Sequence, residues 1–221
     1  MVMAEASIDI GEEIGARRTF VWVIDWPGWC RGGKTLELAR EALLAAGPRY
    51  APVAEAAGLA LPNPASGRIR VVESVGGGSG TDFGVPSAII EDDRRPTSEA
   101  DAVRLAGLVE AGWTVLGRVA ASAPAELRKG PRGGGRDRDK MLSHVVEADY
   151  AYAREIGLRL RERPWDDRPA VDALHAAVLD VLRTPSDGSP LADRRWTVRY
   201  AARRIAWHAL DHSWEMEDRS D

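Results

Sequence analysis

Short apolar runs dominate the first part of the chain. Residues 19–24, Thr-Phe-Val-Trp-Val-Ile, are β-branched and aromatic, which predicts a strand, and residues 68–75 have a similar character. Residues 35–46 place apolar side chains on one side and charged ones elsewhere, which predicts a helix, and a second short helix is expected at about 50–57. Together these elements predict a small α/β domain over residues 1–92.

Longer helical patterns follow. Four helices are predicted, at about 98–121, 137–160, 169–183 and 196–218. Ser98 and Asp101 have the spacing of a capping box at the start of the first of them. A glycine-rich stretch before that helix, residues 76–86, predicts a flexible or tightly turning loop. Four helices with short connections are typical of a bundle, so the sequence predicts an α+β fold that ends in a four-helix bundle over residues 93–221.

Composition narrows the classes of function. The chain has 221 residues, 44% of them hydrophobic, so a substantial core is expected. Its net charge of -4 lacks the basic surplus of nucleic-acid-binding proteins. No apolar run is long enough to cross a membrane, and the acidic start lacks the layout of a signal peptide. A single cysteine, Cys30, allows no internal disulfide, so a cytoplasmic protein without nucleic-acid or membrane partners is expected.

One stretch matches a phosphate-binding pattern. Residues 28–35, GWCRGGKT, have the P-loop spacing Gly-x-x-x-x-Gly-Lys-Thr, in which glycine backbone amides surround phosphates at a helix N-terminus. P-loop NTPases need a broad parallel sheet, so nucleotide binding through Lys34 is the weakest of the function hypotheses. Residues 25–43, DWPGWCRGGKTLELAREAL, resemble the HicB-like family of small α/β domains instead. In that interpretation Thr35 caps a helix and Lys34 is a solvated charge.

Three of the four histidines fall on apolar helix faces. His208 and His212 are four residues apart and share a stripe with Val198, Ala201, Ile205 and Met216, from which Arg199 and Arg203 are expected to point away. His144 takes a similar position on its own helix. An unpaired buried imidazole costs about 1–3 kcal/mol, so either each ring finds a carbonyl or carboxylate, or one divalent metal binds all three. Zinc accepts imidazole nitrogens, and nickel and iron do so too.

Two segments resemble the DinB family of four-helix bundles, which includes the mycothiol-dependent maleylpyruvate isomerases. That family places one metal-binding histidine on its second helix and a His-x-x-x-His pair on its fourth. Residues 141–157, MLSHVVEADYAYAREIG, and residues 199–219, RYAARRIAWHALDHSWEMEDR, match those segments in order and spacing. The resemblance implies His144, His208 and His212 as ligands of a divalent metal, zinc before nickel or iron, and mycothiol as a cosubstrate.

Other side chains have two interpretations each. His175 matches no ligand position and is predicted to be an ordinary helix residue, and Cys30 a small buried one. Three acids are either hydrogen-bond acceptors for the imidazoles or surface charges: Glu147, Asp211 and Glu215. Three tryptophans either line a pocket near the metal or pack in the core: Trp113, Trp207 and Trp214.

The expected chemistry depends on the metal site. An open coordination position activates a water or a thiol. The DinB resemblance favours a thiolate that attacks an electrophile, which gives S-transfer or isomerisation of a small-molecule substrate, with no catalytic residue identified. The alternative is a non-enzymatic scaffold, in which the front domain is a protein-binding module and a fourth protein ligand closes the metal site. The sequence is compatible with a monomer and with a homodimer.

Overall fold

A four-stranded sheet forms the front of the molecule in the computed structural model, which describes residues 7–61, 69–130 and 134–220. The strands are β1 (Ile8–Ile14), β2 (Thr19–Val23), β3 (Cys30–Gly33) and β4 (Ile69–Gly76). Their order is β3-β2-β1-β4, with β1 antiparallel to β2 and parallel to β4, and β2 antiparallel to β3. The prediction identified β2 and β4 but not the other two strands.

Seven helices complete the described part of the chain. They are α1 (Leu36–Ala45), α2 (Gly47–Ala56), α3 (Ser79–Phe83), α4 (Glu99–Ser122), α5 (Arg138–Glu155), α6 (Arg168–Leu182) and α7 (Val198–Asp218). The last four pack against one another. The predicted α+β class is confirmed, and no described helix has both the length and the apolar character needed to span a bilayer.

Helix boundaries follow local signals. The capping box predicted at Ser98 and Asp101 is present at the start of α4, and the Thr35 side chain caps α1. α2 begins at Gly47, three residues before the predicted position of about 50, because Pro48 in its first turn needs no backbone N–H. α5 ends at Glu155, five residues before the predicted position. Gly157, two residues later, adopts a φ of 91°, which ends the helix.

The glycine-rich segment 76–86 is more ordered than the predicted loop. It contains the short helix α3 and is bound to β1 through Glu13, which is fully buried. The Glu13 carboxylate accepts hydrogen bonds from Thr81 Oγ1 at 2.5 Å and from the Ala88 backbone N–H at 3.0 Å. A buried carboxylate needs such partners, so Glu13 fixes the segment against the sheet.

α7 is the central helix of the molecule. The predicted apolar stripe is buried, but so is most of the remaining helix surface. Arg203, predicted to point away from the core, is 4% exposed. Its Nη2 and Nε donate to Asp93 at 2.6 and 3.2 Å, and its guanidinium lies over the Trp22 ring. Sequence periodicity misplaced Arg203 because it assumed one buried face, whereas the sheet covers a second face of α7.

The two larger apolar clusters of the described residues hold the elements together. One lies among α4, α5, α6 and α7. The other joins the sheet, α1 and α2 to the adjoining faces of α4 and α7, with Val21 and Tyr50 on one side and Leu108 and Leu210 on the other. Gly28, with a φ of 90°, lies so close to α7 that an added Cβ would be 2.5 Å from Leu210. Division into domains at residues 92 and 93 remains a prediction, and a shared core crosses that boundary.

Candidate metal centre

Two helices supply the three predicted ligands. His144 lies on α5, and His208 and His212 lie one turn apart on α7. One nitrogen from each ring lies within 4.8 Å of the other two. His208 and His212 are 6% and 8% exposed and His144 is half-buried, so access from solvent is on the His144 side. The rings therefore converge as the sequence predicted, on the most buried helix of the fold.

The ring nitrogens have separations that suit a metal. Nε2 of His144 is 3.2 Å from Nε2 of His208. Two nitrogens that bind one zinc ion tetrahedrally at about 2.0–2.1 Å lie about 3.3 Å apart. The same separation also fits a hydrogen bond in which one ring donates and the other accepts. The His212 nitrogen lies within 4.8 Å of the others, so full ligation requires an approach of up to about 1.5 Å.

A carboxylate orients the third ring. Nδ1 of His212 is 3.0 Å from Oε2 of Glu215, which leaves Nε2 available to bind a metal. Glu215 in turn accepts a hydrogen bond from Arg219 at 2.8 Å. The hydrogen bond from His212 lowers the pKa of Glu215, so this acid stays ionised at neutral pH. A carboxylate on the second nitrogen fixes the orientation of a ligating imidazole and raises its basicity.

Burial keeps two of the rings in the form that binds metals. Desolvation lowers the pKa of His208 well below its ordinary value of 6.5, and the nearby charges of His212 and Arg204 act in the same direction. Desolvation also lowers the pKa of His144, to which Arg136 contributes. Metal ligation requires neutral imidazoles, so these environments favour the ligating form at neutral pH. The donor set therefore fits a divalent ion.

Aromatic rings and one arginine surround the cluster. Ring centroids of Tyr152 and Trp207 lie 5.6 and 6.0 Å from that of His208. The Arg204 guanidinium lies over both of these rings, at 5.2 and 4.6 Å. Among the described residues, its buried Nη1 has no hydrogen-bond partner. A buried cationic donor without a partner is costly, so this atom is a candidate for binding an anionic group.

The other acids and tryptophans predicted near the site have separate roles. Glu147 accepts a hydrogen bond from Ser143, and Asp211 pairs with Arg31 at 3.6 Å, so neither is bonded to an imidazole. Trp207 is the tryptophan beside the cluster. Trp214 is buried in the core shared by the sheet and α7, and Trp113 stacks on His175.

The P-loop-like segment is a strand. Residues Cys30–Gly33 form β3, paired with β2 at the edge of the sheet, so the glycines form no phosphate-binding loop. An added Cβ on Gly33 would lie 2.5 Å from the backbone of α1, and one on Gly32 would lie 2.8 Å from Phe20. Close packing explains both glycines. Cys30 is buried as predicted, and burial raises the pKa of its thiol, which excludes a reactive thiolate.

The remaining histidine belongs to a second buried polar group. His175, predicted to be an ordinary helix residue, has Nε2 3.1 Å from Oδ2 of Asp149 on α5, and Asp149 is 1% exposed. The imidazole stacks on Trp113 of α4 with 3.7 Å between ring centroids and 6° between planes. Sequence reasoning missed this group because its three members come from three helices with no characteristic spacing.

No family model matches the chain, and comparisons with curated proteins and with solved structures also return no match. The geometry of the site therefore carries the functional argument.

Proposed function

We propose that the protein is a metal-dependent enzyme of the DinB-like type, in which His144, His208 and His212 bind a divalent ion, zinc before nickel or iron. In this proposal residues 1–92 are a HicB-like unit and residues 93–221 a DinB-like four-helix bundle. The observation that carries the proposal is the convergence of three imidazole nitrogens within 4.8 Å on two packed helices.

The size of the ligand set supports an enzyme over a scaffold. No further His, Cys, Asp or Glu of residues 7–61, 69–130 and 134–220 joins the three histidines. Three protein ligands are typical of catalytic zinc sites, whereas structural sites have four. An ion bound by three histidines supplies Lewis acidity, which lowers the pKa of a water or thiol in its coordination shell.

The surrounding residues provide binding and orientation. Glu215 holds His212 in position through Nδ1. Tyr152 and Trp207 form an aromatic wall beside His208, which excludes water from that side. Arg204, held against these two rings, has in Nη1 a donor without a partner among the described residues, which suits a carboxylate or other anionic group. We propose that this wall and Arg204 position a small electrophilic substrate for transfer or isomerisation with a low-molecular-weight thiol such as mycothiol.

Elemental analysis tests the first part of the proposal. We expect about one equivalent of zinc, nickel or iron in the purified wild type, because three neutral imidazoles bind such ions tightly. His208→Ala should lose the metal. His175→Gln is the matched control, since it removes a histidine outside the cluster and should retain the full amount. Equal metal content in all three proteins would exclude the three-histidine site.

A reaction assay tests the second part. We expect the metal-loaded wild type to accelerate the mycothiol-dependent loss of an electrophile such as maleylpyruvate, because a bound thiol is more readily deprotonated. His208→Ala is expected to react at the uncatalysed rate. If the wild type binds metal but reacts no faster than His208→Ala with any thiol or water, the metal is structural and the scaffold alternative holds.

A further inference from the structure

A separate cavity lies on the helical side of the molecule, between α4, α5 and α6. It has a volume of about 720 Å³, which is within the range of small-molecule sites. Its walls include apolar side chains such as Leu116, Val145, Val146 and Leu179, and none of the three predicted metal ligands. We call it the α4–α6 cleft.

Buried polar groups are built into one wall of the cleft. Trp113, Asp149 and His175, one from each helix, all line it. Asp149 Oδ1 and Trp113 Nε1 are both buried and make no hydrogen bond of normal geometry among the described residues, but the indole N–H acts on the Asp149 carboxyl, so the two groups partly satisfy each other. Burial raises the pKa of Asp149, and His175 and then the nearby Trp113 oppose that rise. A buried carboxyl group with a raised pKa in the wall of a cleft is a candidate feature of a binding site.

Two arginines at the rim of the cleft have no acidic partner among the described residues. Arg183 pairs with Glu110 at 3.2 Å, and His175 pairs with Asp149. Arg118 and Arg168 also line the cleft and are exposed, and neither forms an ion pair with any described residue. The lining holds three arginines and three acids, so its formal charges balance, and Asp172 is the one acid outside those two pairs. The stacked rings of Trp113 and His175 form a flat wall, and the apolar side chains form the floor of the cleft. Together with the guanidinium groups of Arg118 and Arg168, these surfaces suit a planar organic anion.

We propose that the α4–α6 cleft binds a small organic acid with a planar apolar body, independently of the histidine cluster. The body packs against the apolar floor and the stacked Trp113 and His175, and the acid group pairs with Arg118 and Arg168. Since the nearest member of the histidine cluster faces α7 rather than α6, this site stands whether or not the protein binds a metal.

Two related fluorescent probes test the proposal on the full-length protein. Anilinonaphthalene sulfonate is an aromatic anion with a planar naphthalene ring, and N-phenylnaphthylamine is the same molecule without the acid group. We expect the anion to bind saturably, and its fluorescence emission measures the binding. Arg118→Gln and Arg168→Gln should each weaken the anion about threefold, as expected for an exposed ion pair, and leave the neutral probe unchanged.

Two glycines on α4 offer a matched pair of variants. Gly117 lines the cleft and Gly107 does not, and a Cβ on either would meet no atom within 4 Å. Both substitutions to leucine also remove a helix-destabilising glycine, so neither is expected to impair folding. Gly117→Leu should weaken the anion at least about tenfold by filling the cleft, and Gly107→Leu should bind as the wild type does.

The outcomes separate this site from the metal centre. Competition by planar carboxylates, loss in Gly117→Leu and unchanged binding in His208→Ala support the proposal. Equal affinity of Gly117→Leu and Gly107→Leu would place the probe elsewhere and overturn it. Equal binding of the two probes to the wild type and to both arginine variants would overturn the assignment of an acid as ligand.

Discussion

Helix α5 contributes to two buried histidine groups, and the two groups differ in the partners that their ring nitrogens have. On one side, His144 meets His208 and His212 of α7. On another side, Asp149 meets His175 of α6. A buried imidazole needs a partner for its ring nitrogens, and in the second group a carboxylate of the chain supplies one. In the first group ring nitrogens face each other, so the chain's own residues leave the need only partly met.

This contrast favours the first group as the one that binds a ligand from outside. Nε2 of His208 faces only Nε2 of His144, and a metal ion between the two rings would bind both nitrogens. His175, by contrast, has a carboxylate on one ring nitrogen and an aromatic surface against its face. We therefore expect substitutions in the first group to change metal binding and substitutions in the second to change stability.

The largest expected effect is the stabilisation of the wild type by zinc. At a free zinc concentration about a thousand times the dissociation constant, the free energy of unfolding should rise by about 4 kcal/mol, because only the folded chain brings the three rings together. For a chain of this size that corresponds to an increase in Tm of about 10 °C. Thermal unfolding with and without zinc, followed by circular dichroism, measures it.

His208→Ala and His175→Gln separate the two groups in this experiment. His208→Ala should lose the increase in Tm, and His175→Gln should retain it even if its own starting Tm is lower. An equal zinc-dependent increase in both variants would show that the ion binds outside the cluster.

The second effect concerns the buried pair of Asp149 and His175. His175→Leu should lower the free energy of unfolding by about 2–3 kcal/mol, because it leaves the buried Asp149 carboxyl without its partner. The double variant Asp149→Leu with His175→Leu should return to within about 1 kcal/mol of the wild type, since an apolar pair needs no hydrogen bonds. Urea unfolding of the metal-free proteins measures both.

Metal content provides the comparison with the first group. Both leucine variants should bind as much zinc as the wild type. A double variant that is no more stable than His175→Leu would show that Asp149 is not the cause of the loss.

The third effect concerns orientation of His212 by Glu215. Glu215→Gln keeps the size of the side chain but removes the charge beside Nδ1, so zinc affinity should fall about tenfold. Glu147→Gln is the matched control, since Glu147 is bonded to Ser143 rather than to an imidazole. Competition with a chromogenic chelator measures both affinities. A similar loss in the two variants would mean that total negative charge, rather than the hydrogen bond, sets the affinity.

The sequence predicted the helical part of the fold better than the sheet. Amphipathic periodicity located the four long helices, and the capping residues Ser98 and Thr35 marked two helix starts. β1 has no such signal, because Glu12 and Glu13 lie in its buried part. Their partners, Arg40 and Thr81, are distant in sequence, so only the folded chain shows that these acids are buried with partners rather than exposed.

The sequence indicated the proximity of the histidines best where one helix carries the pattern. His208 and His212 are one turn apart, so their common face is visible in the sequence. The position of Glu215 next to His212 follows from the same periodicity, but whether it or another acid bonds an imidazole depends on side-chain conformation. Asp149, His175 and Trp113 come from three helices, and their contact depends on how those helices pack, which a single sequence does not specify.

The smallest effect is the pH dependence of the metal-free protein. Burial lowers the pKa of His208 in the folded state below the ordinary value of 6.5, so below that pH the unfolded chain binds a proton that the folded chain does not. Stability should therefore fall as the pH decreases through about 6.5, and be fully present above it. Burial raises the pKa of Asp149, so the contribution of Asp149 to the free energy of unfolding falls as pH rises. This contribution is the same in the wild type and in a His208 variant. His208→Leu should show a shallower loss of stability between about pH 7.5 and 5.5 than the wild type in urea unfolding. Asp149 and His175 are unchanged in His208→Leu, so they do not produce a difference between the two proteins. If stability changes equally with pH in both, His208 is not desolvated in the way that the structure indicates.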